Sequence, residues 1–310
     1  MDYIRCYRDH FGVESICSVL RAHGYEIAPS TFYAYQVRGF GPTSAELDDA
    51  YMANDIFDLW VANRRVYGRR KLYRTALREG VRIGRDRVER LMKILGIEGA
   101  RRGKHSIITT VKDEKAARFP DHITRRWDLP DHPDQWWVAD FTYVWTLEGF
   151  CYVSFITDVY SRRILGWRVM NTKTTTLVAC ALEQALFIRR RHDSAFTARG
   201  LVHHSDAGSQ YTSLAFTKDL RDAGITGSIG TVGDAYDNAL MESTIGLYKT
   251  ELIDFNDARW EDWNHVERAT AEWVYWFNTD RLNSGCGHTP PIEYEIRYHQ
   301  THPDTTPVAA

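Results

Sequence analysis

The feature that most limits the fold of this chain is a run of three β-forming segments joined by links too short to hold a helix. WWVADFTYVW (136–145), FCYVSFITDVY (150–160) and RRILGWRVM (162–170) are dense in aromatic and β-branched residues. Thr146-Leu147-Glu148-Gly149 can turn the chain between the first two. Links this short predict an antiparallel three-strand meander. The pattern then changes. TTTLVACALEQALFIRRR (174–191) sets Leu177, Ala181, Ala185 and Ile188 along one side of a helix. LVHHS (201–205) reads as a strand, SLAFTKDLRDAG (213–224) as a helix, ITGSI (225–229) as a strand and DAYDNALMESTIGLYKTEL (234–252) as a long helix. An antiparallel opening followed by alternating helices and strands predicts an α/β domain with a mixed sheet flanked by helices.

The charge is unevenly placed. The 310 residues carry 39 Lys+Arg against 41 Asp+Glu, a formal net charge of −2. That balance alone gives no reason to expect a polyanionic partner. Between Arg64 and Lys104, however, fifteen basic residues face four acidic ones. This segment is +11, which leaves −13 for the remainder. Basic density of this kind is the footprint of a nucleic-acid binder; the plainer alternative is a solvated, arginine-rich helical surface.

The basic segment has a helical period. GRRKLYRTALREG places Leu72, Tyr73, Ala76 and Leu77 on one face and ends at Gly80. After the turn GVRIG, RDRVERLMKILG places Val88, Leu91, Met92 and Leu95 on one face and ends at Gly96. Two short helices about a glycine-bearing turn read as a helix-turn-helix, with Arg85, Arg87, Arg90 and Lys93 on the side expected to face DNA. A helical hairpin with no DNA partner would show a similar pattern.

Upstream, Val13, Ile16, Cys17 and Leu20 share a helical face that ends near Gly24, and Pro29-Ser30-Thr31 opens a second helix carrying Phe32, Tyr33 and Tyr35. Cys6, His10, Cys17 and His23 can be imagined as zinc ligands, but their spacing is irregular and Cys17 fits the apolar face. Five cysteines without a CxxC pair point to a reducing cytoplasm. No apolar run approaches a membrane span and the first residues do not read as a secretory signal. The polar, proline-bearing stretch after the basic block reads as a connector, and HQTHPDTTPVAA as a poorly ordered tail.

Three carboxylates stand where the strand order can gather them. Asp140 lies mid-strand among apolar residues, where an ionised group is costly without a partner. Asp206 ends the fourth strand, and Glu242 sits on the last helix after 35 intervening residues. Displacement at a phosphodiester calls for such a set, because two divalent ions can serve the attacking and leaving oxygens, and hard ions such as Mg²⁺ take oxygen ligands. Taken singly, Asp206 could cap a turn and Glu242 could be an ordinary surface acid.

WVADFTYV, YVSFITDVYSRRILGWRV, GLVHHSDAGSQYTS, GDAYDNALMESTIGLYKTE and WFNTDRLNSGCGHTPPIEYE, in this order, resemble the retroviral-integrase-type core of bacterial insertion-sequence transposases, and in particular the downstream-frame (OrfB) product of insertion-sequence family three. The resemblance implies an RNase H-like (integrase core) mixed sheet, preceded by an all-α helix-turn-helix region. It divides the chain into an N-terminal helical segment (1–54), a basic DNA-binding domain (55–104), a linker (105–125), a catalytic core (126–298) and a flexible tail (299–310).

It further implies a DNA transposase that performs 3′-end cleavage and strand transfer, with Asp140, Asp206 and Glu242 holding two Mg²⁺ (or Mn²⁺) ions. Lys249 and Asn238, on the helical face of Glu242, are implied DNA contacts. His204 and Gln210 are expected to shape the loop around Asp206, with Asp158, Asp234 and Asp237 structural. The implied partners are double-stranded DNA (terminal repeats and target), further copies of the chain in a synaptic complex and the upstream-frame protein, in the bacterial cytoplasm at the nucleoid, with no membrane. Many relatives carry His where this chain has Asn283, which puts a local contact in question. The alternatives are a catalytically silent DNA-binding regulator and a purely hydrolytic RNase H-like nuclease.

Overall fold

A computed structural model describes residues 1–102, 130–206, 208–230, 239–255 and 258–302. Packing gathers the chain into two compact units, Met1–Leu59 with Gly84–Ile97, and Trp60–Ile83 with Glu98–Ala310. The basic segment therefore contributes one helix to each.

The first unit holds α1 (Asp2–Phe11), α2 (Val13–Ala22), α3 (Pro29–Val37), most of α4 (Ser44–Ala62) and α6 (Arg85–Leu95). Gly12, at φ +75°, turns α1 into α2, where a side chain would be strained. Ile4, Val13, Ile16, Cys17 and Phe32 form one buried cluster. Cys17 thus belongs to a core while Cys6 is exposed, and His23 Nδ1 lies 2.9 Å from the Val19 carbonyl oxygen. These residues do not assemble a zinc site. The sequence reading did not anticipate α4, although its start carries a reciprocal cap: Thr43 N donates to Glu46 Oε2 (2.6 Å) and Glu46 N to Thr43 Oγ1 (3.1 Å). Gly96 ends α6 in the left-handed conformation, as its place after Leu95 predicts.

The second unit contains α5 (Arg69–Arg78) and a five-stranded sheet in the order β3-β2-β1-β4-β5. β1 (Trp136–Thr146), β2 (Gly149–Asp158) and β3 (Ile164–Met170) form the expected antiparallel meander, and β4 (Val202–Ser205) and β5 (Thr226–Ile229) add parallel strands beside β1. The sheet is therefore mixed, and α7 (Thr175–His192) and α8 (Leu214–Asp222) pack with it.

The core on this side combines Trp137, Ala139, Ile156 and Leu165 of the sheet with Val178, Ala181, Leu182 and Ala185 of α7. Gly166 makes the close approach possible: a Cβ there would fall 2.0 Å from the Ala181 carbonyl oxygen. The other helices are α9 (Ala239–Tyr248), α10 (Trp263–Thr279) and α11 (Pro291–Thr301).

The helix expected over 234–252 is described only from Ala239, and it ends as α-helix at Tyr248. A π-helical turn, Lys249–Ile253, follows. Three successive side chains of that turn, Glu251, Leu252 and Ile253, are buried together, and the wider turn accompanies this. Residues 231–238 lie outside the described residues, and with them Asn238, Asp234 and Asp237.

Candidate active site

β4 stops at Ser205 while β1 runs on to Thr146, so the sheet opens beside the middle of β1. Ala139 pairs with Ser205 in the parallel ladder. The next residues, Asp140 and Asp206, are therefore brought alongside one another at the carboxyl end of β4, where the strand spacing is about 4.8 Å. Open α/β sheets bind ligands at such carboxyl ends.

Each aspartate is held by backbone. Phe141 N donates to Asp140 Oδ1 (2.7 Å), and Gly208 N donates to Asp206 Oδ1 (3.1 Å). Gly208 leaves little room there, since a Cβ would lie 3.1 Å from that oxygen.

The electrostatics place the three carboxylates in one field. Burial, followed by the charge of Asp206, pushes the Asp140 carboxyl well above the usual carboxylate range. Phe141 N–H opposes this and the charge of Glu242 adds to it. Burial likewise raises Asp206 against the pull of the Gly208 N–H. Glu242 lies in the first turn of α9 and is exposed. A buried carboxyl raised by neighbouring like charges, as Asp140 is, marks a site that favours a proton or a cation. The donors are all carboxylate oxygens, the chemistry of a hard divalent ion. Among the described residues no three such side chains close into a finished metal cage.

The surrounding residues fall into place around this pair. His204 is buried at 1% exposure, with Nδ1 2.9 Å from Ser228 Oγ, so its ring ties β4 to β5. Gln210 Nε2 donates to the Lys173 carbonyl oxygen (3.0 Å), pinning the loop after Asp206. Tyr211 is buried in the field of Asp140 and Asp206, and its hydroxyl is pushed well above the usual tyrosine range, by burial first. Lys249 Nζ lies 4.6 Å from the centre of the Tyr143 ring, and burial lowers its pKa.

Asp158 is buried away from this group: its Oδ1 accepts from Ser161 N (2.6 Å) and its Oδ2 from Asp134 N (2.7 Å). In place of a histidine contact, Asn283 Oδ1 accepts from Gly285 N (2.9 Å) and caps a short 3-10 turn.

On α6 the expected DNA-facing cations have protein partners. Arg87 Nε and Arg90 Nη2 donate to Asp49 Oδ1 at 2.9 and 2.8 Å. Lys93 lies 3.6 Å from Glu89 and Arg85 3.2 Å from Asp86. The sequence reading missed Asp49, because no motif marks an acid on α4 as the partner of arginines some forty residues on. Nor does any motif mark Lys71 of the basic segment, Arg162 and Arg281 as neighbours, although the second unit gathers them around one cavity.

Comparison with known proteins agrees with this architecture. Residues 46–105 match an HTH-like domain, and residues 130–235 and 223–291 match two integrase core domain families. The chain is 48% identical over 273 residues to a putative transposase for insertion sequence element IS986/IS6110 of Mycobacterium tuberculosis (strain CDC 1551 / Oshkosh), covering 88% of this chain and 96% of that one. It is 45% identical to the transposase for insertion sequence element IS629 of Shigella sonnei, covering 94% of both. A chain in the cryoEM structure of a simian T-cell lymphotropic virus intasome in complex with PP2A regulatory subunit B56 gamma aligns at a TM-score of 0.43 and 13% identity, over 74% of this chain and 70% of that one. Near-full-length identity of this order, together with integrase-core and HTH-like matches, shows that the chain belongs to the insertion-sequence transposases, in the family-three group, with an integrase core in its second half.

Proposed function

We propose that the chain carries out transposition of an insertion sequence, cleaving 3′ ends and joining them to target DNA, with Asp140, Asp206 and Glu242 as the catalytic carboxylates. The observation that supports this reading is that Asp140 and Asp206 directly follow the Ala139–Ser205 ladder pair, with the charges of Asp206 and Glu242 reaching Asp140. The oxygen-only donor set, and the raising of Asp140 by burial and the charges of Asp206 and Glu242, fit divalent cations, with Asp140, Asp206 and Glu242 holding two Mg²⁺ (or Mn²⁺). Bound there, such ions neutralise charge at a phosphodiester and activate an attacking oxygen.

The remaining work falls to the chain. The amides of Phe141 and Gly208 fix one oxygen of each aspartate and leave the others to face the ligand. Tyr211 sets a buried aromatic ring in the field of Asp140 and Asp206. Lys249, with Arg85, Arg87, Arg90 and Lys93, supplies cations for DNA phosphates, and Asn238 is assigned the same role from its motif alone.

The partners in this reading are double-stranded DNA, at element ends and target, further copies of the chain in the synaptic complex and the upstream-frame protein. It places the chain in the cytoplasm at the nucleoid; among the described residues no helix is long and apolar enough to cross a membrane. Segment 55–104 docks DNA, 126–298 performs the chemistry, and 1–54, 105–125 and 299–310 flank them.

A strand-transfer assay with Mg²⁺ and labelled element ends tests this proposal. Wild type is expected to give joined target–donor products, and Glu242→Gln to lose at least about a hundredfold in rate, of the order seen when a charge-stabilising group is removed. Nicks without joining would favour the hydrolytic nuclease, and DNA binding with neither product the silent regulator. Full activity in Glu242→Gln would end the carboxylate assignment.

A further inference from the structure

Within the second unit, a cavity of about 490 Å³ is lined by residues of α9 and by none of Asp140, Asp206 or Glu242. Its charge balance is unusual. Lys71, Arg162 and Arg281 line it against a single carboxylate, Glu251, and Glu251 is spent on Arg281, whose Nε donates to Oε2 at 2.7 Å. Lys71 Nζ lies 4.0 Å from Glu251 Oε1, too far for a hydrogen bond. Arg162 pairs with no carboxylate among the described residues, and it sits at a φ of +60°. The charge of Asp158 reaches Arg162 and that of Glu251 reaches Lys71, yet the lining itself carries three basic side chains against one carboxylate. The hydroxyl of Ser243, next to Glu242 on α9, and that of Ser284, on the turn after Asn283, lie among the lining groups as neutral donors.

From this arrangement we infer that the cavity binds a phosphate group, and that its ligand is a backbone phosphate of the nucleic acid beyond the position being cut. A phosphate oxygen set suits the Arg162 guanidinium together with hydroxyl donors and a lysine amine that an incoming anion would keep protonated. The partial closure raises the value of each charge over that of an exposed lysine. Ser243 directly follows Glu242, so a strand that crosses α9 from the carboxylates reaches this cavity next. The inference deepens the DNA-acting reading and rests on it.

The test is fluorescence anisotropy of a labelled double-stranded oligonucleotide with the full chain, without divalent cation, between about 50 and 200 mM salt. Arg162→Gln is expected to weaken binding about threefold or more and to lower the slope of log affinity against log salt by about 0.9, one phosphate contact. Ser284→Glu, an exposed substitution that places a negative charge at the cavity, is expected to weaken binding similarly, and it carries the test if Arg162→Gln does not fold. Affinity and slope unchanged in a folded Ser284→Glu variant would overturn the assignment. So would a second outcome: inorganic phosphate raising the Tm of wild type but not of Arg162→Gln, with DNA binding equal in the two, would make the cavity a site for free phosphate. Because binding is read without metal, Glu242→Gln reports on catalysis separately, and either reading can fail without the other.

Discussion

Lys71 shows how one buried cation leaves a measurable trace. Burial first, and then the charge of Arg281, hold its pKa down to about 7, while Glu251 pulls it upward and Tyr67 offers its ring face at 4.9 Å. The ordinary lysine value is 10.5. Between about 7 and 10.5 the unfolded chain binds a proton that the folded chain does not, so this group makes stability rise with pH across that window. Below about 7 the penalty for burying the ammonium is fully present. Lys71→Met removes that cost, and Arg281 remains on Glu251. The variant is expected to be more stable than wild type at pH 7, by a few kcal/mol at most, and the advantage should shrink toward pH 10.5. Thermal unfolding of both proteins across this range checks it, and a gap that does not change with pH would refute the linkage.

At the scale of elements, β3 and α7 depend on one missing side chain. Gly166 lets the strand approach the helix until its own α-hydrogen faces the Ala181 carbonyl oxygen, and a Cβ at 2.0 Å from that oxygen has no place to go. Gly166→Ala must therefore separate α7 from the sheet and loosen the cluster of Leu165, Ala181, Leu182 and Ala185. A cost of about 3 kcal/mol is expected, read as a Tm lower by roughly 6–12 °C, and a variant melting with wild type would show that the contact relaxes freely.

The elements themselves were largely legible. The short links made the meander readable, and the glycines at 80 and 96 marked the ends of α5 and α6. What stayed hidden had physical causes. α4 has apolar residues on several sides and little amphipathic contrast, so only its Thr43–Glu46 cap announced it. α10 and α11 were read as motif and not as helices. The π-helical turn at Lys249 accompanies the burial of Glu251 against Arg281, a contact thirty residues away in sequence. Of the candidate site, the nearness of Asp140 to Asp206 is implied by strand order, whereas the amides that hold them, Phe141 N within β1 and Gly208 N after β4, make contacts that no periodicity encodes.

For the molecule as a whole, the +11 segment is less free than its count suggests. Arg78 meets Glu293, Arg101 meets Glu98, and Arg87 and Arg90 share Asp49. Hydrogen bonds from Arg90 and then Arg87 hold the Asp49 carboxyl down to about 2, so it stays ionised throughout the physiological range and keeps competing with any phosphate for both guanidinium groups. Such exposed pairs contribute little to folding, so their removal should leave the first unit intact. Their effect on DNA binding should be larger, because each arginine released from Asp49 can displace a counterion from DNA. Asp49→Asn is therefore expected to raise affinity for double-stranded DNA several-fold at about 0.1 M salt, and to steepen the salt dependence by up to about 1.8, two phosphate contacts. Anisotropy titrations at several salt concentrations measure both. A steeper slope would mean that α6 meets the backbone through Arg87 and Arg90, and that Asp49 sets how tightly the chain holds DNA between encounters. A slope equal to wild type would place the docking surface elsewhere in the basic segment, with Arg74 and Arg82 the next residues to substitute.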